Sequence, residues 1–209
     1  MKEYLPQKMI ASSRYKVLFA SLDSGKQQRL LVRLMQLVEE EREYCDKGNY
    51  GHLCNILTTI ALDEVLQADG MSADESYKLI SENMWAALNP KPIQMLARIP
   101  FFLPLMRRLV PIGFRYGSGK GWRYTWFKNE PADEFHFECN QCLYKTIFQR
   151  RGLLERFGPM FCHSDIINYG NLPHTDFQRT QTLCQGGEKC DFCFIRHRRN
   201  EVWQRSESI

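Results

Sequence analysis

The sequence predicts an α+β protein, with an N-terminal helical half packed on a small antiparallel sheet that carries inserted helices and a C-terminal hairpin. Three observations predict it. Apolar residues recur at helical spacing through the first half, a glycine-rich link "YGSGKG" marks a change of character, and short alternating aromatic runs follow it. We read residues 1–209 as a single domain, with 1–118 mainly helical and 119–200 forming the α+β part.

The elements follow in chain order. In "KQQRLLVRLMQLVEEEREYC", Leu30, Leu31, Leu34, Leu37 and Val38 share one helical face, with charges opposite. "HLCNILTTIALDEVLQADG" repeats the pattern through Leu53, Ile56, Leu57, Ile60 and Val65, and Gly70 is placed to stop it. "MSADESYKLISENMWAAL" opens with Ser72 and Glu75 in capping-box spacing, so a third helix is expected. "NPKP" breaks it, and the apolar, proline-interrupted segment after it reads as a bent lid or wall. "WRYTWFK" puts Trp122, Tyr124 and Trp126 on one strand face, and "EFHFEC" does the same for Phe135 and Phe137. "NQCLYKTIFQRRG" and "PMFCHSDIINYG" read as short helices, the second with Pro159 as its first residue. "TDFQRTQTL" and "CDFCFIRHR", joined by "CQGGEK", predict a β-hairpin.

Composition excludes several classes. With 44% hydrophobic and 25% charged residues, the chain can bury a real core and is not a disordered sequence. The formal charge of +4 is mild, and the cluster Arg196, Arg198 and Arg199 reads as a solvated end, so no nucleic-acid partner is expected. The most apolar stretch, "IQMLARIPFFLPLMRRLVPIGF", is interrupted by Arg98, Arg107 and Arg108 and falls short of the roughly 20 residues of a membrane span. It has the character of a basic amphipathic segment able to lie on a membrane surface, or to pack on its own protein. The N-terminal stretch lacks the apolar run and small-residue site of a signal peptide, so a cytoplasmic address and reduced thiols are expected. "YGSGKG" lacks the Lys-Ser/Thr pair of a phosphate loop.

The eight cysteines carry the chemistry. Cys139-Asn-Gln-Cys142 and Cys190-Asp-Phe-Cys193 have the count of a four-thiolate zinc site, but neither pair holds the glycine or proline of a tight knuckle. In a strand, Cys190 and Cys193 point to opposite faces. No metal or other cofactor is therefore expected. Cys45, Cys54 and Cys184 read as buried thiols. Cys162, behind Pro159, is placed by this reading in the opening turn of a helix, where free amides favour a thiolate. Asp165 shares its face three residues on, and a carboxylate there raises a thiol's pKa unless it is neutralised. Both a functional pair and a buried thiol beside a surface carboxylate fit these residues.

"CLYKTIFQRRGLLERF", "FCHSD", "FQRTQTLCQGG" and "CDFCF" occur in the order found in the L-2-amino-thiazoline-4-carboxylic acid hydrolase-like family, which the chain resembles over residues 121 to 195, with a weaker likeness in "ALDEVLQADGMSADES". The resemblance implies a hydrolase that opens a cyclic thiazoline-type ring with water, giving a carbamoyl-cysteine. The family pattern falls on Cys142, Cys162, Asp165, Arg179, Thr182, Gly186, Gly187, Cys190 and Asp191. It implies Cys162, Asp165 and Cys190 as catalytic, and Arg179, Cys142, Thr182 and Asp191 as substrate-binding. Arg179 could clamp a substrate carboxylate with two parallel hydrogen bonds. Cys162 or water would attack the amidine-type carbon while Asp165 holds or shuttles a proton. The hairpin register stays open: a two-residue Gly-Gly turn puts Cys190 on the face of Arg179, and a five-residue loop puts Asp191 there. The ending "CxGGxxCxF" is also similar to 4-vinyl reductase-type domains, which keeps a small-molecule or metal-binding sensor as the alternative. In either reading the partner is a small molecule.

Overall fold

A computed structural model describes residues 4–128 and 131–197. Of the terminal basic cluster, Arg198 and Arg199 lie outside the described residues.

Two short helices come first, α1 (Pro6–Ser12) and α2 (Lys16–Ser21). In α3 (Ser24–Glu40), Asp23 caps the first turn by accepting the amide of Lys26, and Leu30, Leu34, Leu37 and Val38 are buried on the predicted face. The next helix, α4 (Tyr50–Ala68), is buried over most of its circumference because α1, α3, α5 and α8 pack around it. Gly70, at φ +91°, ends it. Ser72 and Glu75 form the predicted capping box of α5 (Ala73–Ala86). The proline-rich segment becomes α6 (Lys91–Leu96) and α7 (Phe102–Gly117).

The second half alternates strands and helices. After β1 (Arg123–Trp126) and β2 (Glu134–Gln141) come α8 (Leu143–Arg150) and α9 (Leu154–Tyr169), then β3 (Thr175–Gln178) and β4 (Cys190–Arg196). The sheet order is β1-β2-β4-β3, with every neighbouring pair antiparallel. Register stacks Phe135 on Phe194, Phe137 on Phe192 and Cys139 on Cys190. Tyr124 and Trp126 of β1 pair with Cys139 and Phe137, so one sheet face is aromatic with a thiol edge.

The link "YGSGKG" ties the sheet to the helices. The side chain of buried Asn49 donates to the carbonyls of Tyr44 at 3.0 Å and Lys120 at 2.8 Å, and accepts from Gly119 N and Trp122 Nε1 at 3.0 Å each. A Cβ on Gly119 would stand 2.0 Å from the Asp46 carboxylate, so only glycine allows this approach. On the far side, the nearly inaccessible carboxylate of Glu41 receives Arg150 at 3.3 Å and Arg151 at 2.7 Å. These contacts hold α8 against the helical half.

Two expectations are corrected. Pro159 does not begin a helix. It lies inside α9, which starts five residues earlier at Leu154, and Cys162 is therefore mid-helix. A proline there forfeits one backbone hydrogen bond, about 3 kcal/mol at most sites. Burial of Phe157, Met160 and Phe161 on the same helix outweighs that loss. The hairpin forms as expected, but its register is the second. Gln178 pairs with Cys193, so the connection runs from residue 179 to 189, longer than either loop considered. The backbone leaves the ladder because the Asp191 carboxylate accepts the amides of Thr180 at 3.1 Å and Gln181 at 2.9 Å, replacing strand partners.

Candidate active site

A cavity of about 290 Å³ lies between the aromatic sheet face and the helices. Its size sits near the lower bound of small-molecule pockets, roughly 300–1,000 Å³. α7 covers one side through Met106, Val110 and Phe114, in the role expected of the proline-broken segment.

The floor is a line of thiols. β2 supplies Cys139, β4 Cys190, the N-cap of α8 Cys142, the turn at 183–185 Cys184, and α9 Cys162. They pack into one cluster. α9 reaches the turn because Gly158 has no side chain: a Cβ there would meet that of Cys184 at 2.9 Å. The order of contact is Cys190, Cys139, Cys142, Cys184, Cys162. Cys139 lies between Cys142 and Cys190, with its Sγ donating to the Gln141 carbonyl at 3.1 Å, and Cys184 lies between Cys142 and Cys162.

This pattern moves the thiols in opposite directions. Cys142 is held well below the ordinary thiol range, first by the thiols of Cys139 and Cys184, and then by the amides of Lys145 and Tyr144 at the start of α8, against the effect of burial. Cys139 and Cys184, each set between two other thiols and buried, are pushed far up. Cys162 is also lowered, mainly by the Cys184 thiol and further by the Thr182 hydroxyl, while burial and Asp165 oppose this. The N-terminal amides that the sequence assigned to Cys162 thus act on Cys142. Cys190 accepts the amide of Leu183 at 3.2 Å.

Asp165 lies on the cavity wall one turn beyond Cys162. Burial raises its carboxyl to about 6 against the pull of Arg179, although 30% of its side chain remains accessible where it lines the cavity. Arg179 stands behind it, only 7% exposed, donating to Asp165 Oδ2 at 2.8 Å and to the Cys162 carbonyl at 3.0 Å. Thr182 and Asp191 are also placed behind the wall. The Thr182 hydroxyl donates to Gln185 at 2.9 Å. Burial works against the Asp191 carboxylate, but the Thr180 hydroxyl and the amides of Gln181, Thr180 and Asp191 itself hold it below its usual range.

Of the residues implied as functional, Cys142, Cys162, Asp165 and Cys190 meet at the cavity. Arg179, Thr182 and Asp191 support them from outside. Cys193 faces away from the thiol line, as strand alternation requires, and among the described residues no three His, Cys, Asp or Glu side chains are disposed to hold a metal ion.

Sequence reasoning missed three wall residues from the helical half and α8. Arg14, between α1 and α2, brings a guanidinium with no hydrogen bond or ion pair among the described residues. His52 lies on α4, and its Nε2 donates to the carbonyl of Gly117 at 3.0 Å. Its Nδ1 therefore accepts from the Tyr144 hydroxyl at 3.1 Å, and burial lowers its pKa, so the ring is neutral. Nothing in "SSRY" or "YGHL" distinguishes these positions from surface and core.

A family model described as L-2-amino-thiazoline-4-carboxylic acid hydrolase matches residues 68–194. No curated protein and no solved structure matches. The matched span exceeds half of the chain, and the chain belongs to this family.

Proposed function

We propose that this protein opens a thiazoline-type ring bearing a carboxylate, as in the conversion of L-2-amino-thiazoline-4-carboxylate to carbamoyl-cysteine, with Cys162 as nucleophile. One observation carries the reading: Cys162 and Asp165 face a single small cavity, one turn apart on α9, with a lowered thiol beside a raised carboxyl.

Arg14 holds the substrate carboxylate, since Arg179 is committed to Asp165. Ionised Asp165 pairs with the protonated amidine of the ring. Cys142, the thiolate at rest, accepts the Cys162 proton through Cys184, which bridges the two. The Cys162 thiolate then adds to the carbon between the ring nitrogen and the ring sulfur. The carbon–sulfur bond of the ring breaks, and the departing thiolate takes the proton stored on Cys142. The carbon is now a cationic isothiouronium bonded to Cys162. Asp165 removes a proton from water as its oxygen adds to that carbon. Collapse expels Cys162, which takes the hydroxyl proton, and leaves a urea. Asp165 releases its proton to solvent, which balances the one the amidine brought.

The test is incubation of the purified protein with 2-aminothiazoline-4-carboxylate, following free thiol by a colorimetric reagent and the carbamoyl product by mass spectrometry. The reading predicts one thiol per ring opened, and a Cys162-bound adduct of substrate mass on rapid quenching. Turnover with no adduct, undiminished in Cys162→Ser, would make water the attacking group. Absence of turnover would remove this substrate.

A further inference from the structure

α7 has two apolar faces, and the cavity uses one. Met106, Val110 and Phe114 point inward. Phe101, Leu105, Leu109, Ile112 and Tyr116 recur at helical spacing on the opposite side. Phe101, Leu109, Ile112 and Tyr116 are 52 to 74% exposed, and Met95 and Leu96 of the preceding helix α6 are exposed as well. An outward stripe of large apolar side chains on a helix that already packs its other face is not needed for the fold.

The charges around this stripe have one sign. From Lys91 to Gly117 the chain carries five basic residues and no acidic one. Arg107 is tied to the carbonyls of Pro131 and Glu134. Lys91, Arg98, Arg108 and Arg115 have no ion pair among the described residues, and all four are exposed.

From this surface we infer a peripheral docking site for an anionic lipid bilayer, with α7 lying in the interface plane. A projecting helix face carrying Phe, Tyr and aliphatic tips beside arginines has the form of an interfacial amphipathic helix. The apolar stripe enters the acyl boundary while Arg108 and Arg115 meet lipid phosphates. A second copy of the chain is disfavoured on the same face, because a two-fold contact would set Arg108 and Arg115 against their own kind. No described helix is long and apolar enough to cross the membrane, so the association is superficial. It stands independently of the reaction proposed above, since none of these outward residues lines the cavity.

Flotation of the full chain with phosphatidylcholine vesicles, with and without phosphatidylglycerol, tests this. We expect binding only to the anionic vesicles, weakened by salt. Arg108→Glu with Arg115→Glu should lower partitioning by roughly fivefold or more per arginine. Leu109→Ser with Ile112→Ser should abolish it with the melting temperature unchanged, because both positions face outward. Wild-type protein that fails to float with anionic vesicles overturns the inference, as does binding equal on neutral vesicles. So does a concentration-dependent dimer, seen by sedimentation without lipid and lost in the double serine variant, which would give the face to a second copy.

Discussion

Arg179 Nη1 lies 2.8 Å from Asp165 Oδ2 and 3.0 Å from the carbonyl of Cys162, so one guanidinium from beyond β3 holds both the Asp165 carboxyl and the Cys162 backbone. It acts against burial, which alone would drive the Asp165 carboxyl higher than about 6. That competition sets the pH dependence.

In the proposed reaction the ionised Asp165 is the working form, so kcat/KM should rise with pH through about 6 and then level. Arg179→Met removes the group that lowers this pKa, and the rising limb should move to higher pH. Profiles of kcat/KM against pH for the two proteins check it; an unmoved limb would detach Arg179 from Asp165. Asp165→Asn should remove the limb and most of the activity. Because burial raises this carboxyl from 3.8, its contribution to stability is full below about pH 4 and is lost as pH passes 6. Asp165→Asn should flatten that part of the stability–pH curve.

The thiols should separate by reactivity. Cys45 and Cys54 are both pushed up to about 11 by burial, whereas Cys162 is lowered and reaches the cavity. An iodoacetamide time course read by mass spectrometry should show Cys162 modified well before either, with substrate protecting it. Cys162→Ser should keep the fold and lose most activity.

Cys142→Ser tests the resting thiolate. With no base to receive the Cys162 proton, kcat should fall by roughly 10²–10⁴-fold. Circular dichroism should stay unchanged, since serine is a favoured residue at the N-cap of α8. A kcat within a factor of about two of wild type would remove Cys142 from the proton path.

Arg14 should set affinity for the carboxylate. Losing a charge-assisted pair in a closed site is worth about 1.5–3 kcal/mol, roughly ten- to hundredfold in kcat/KM for Arg14→Gln. Arg14→Lys should recover part of it, and a ring lacking the carboxylate should be indifferent to either change. Equal losses on both rings would mean that Arg14 is structural.

Asn49 should be a stability site. Replacing it by alanine leaves Gly119 N, Trp122 Nε1 and the carbonyls of Tyr44 and Lys120 without their partner, for a loss of about 3 kcal/mol or more. Urea unfolding measures it.

Much of the architecture was legible because it rests on local rules. The face of α3, the Ser72 box, the aromatic alternation of β1 and β2 and the opposed Cys190 and Cys193 all follow from period, capping and strand geometry. The ordered motifs named the family and four residues that meet at the cavity. Tertiary structure alone decided which thiol is lowered furthest by its neighbours. Pro159 favours a helix start by its own preference, but buried neighbours carry α9 through it, and the N-terminal amides fall to Cys142. Asp191, by accepting the Thr180 and Gln181 amides, opened the hairpin and put Arg179 behind Asp165. Arg14, far from every motif, reaches the cavity only because α1 packs on α4, and no period or spacing in one dimension records where two helices touch.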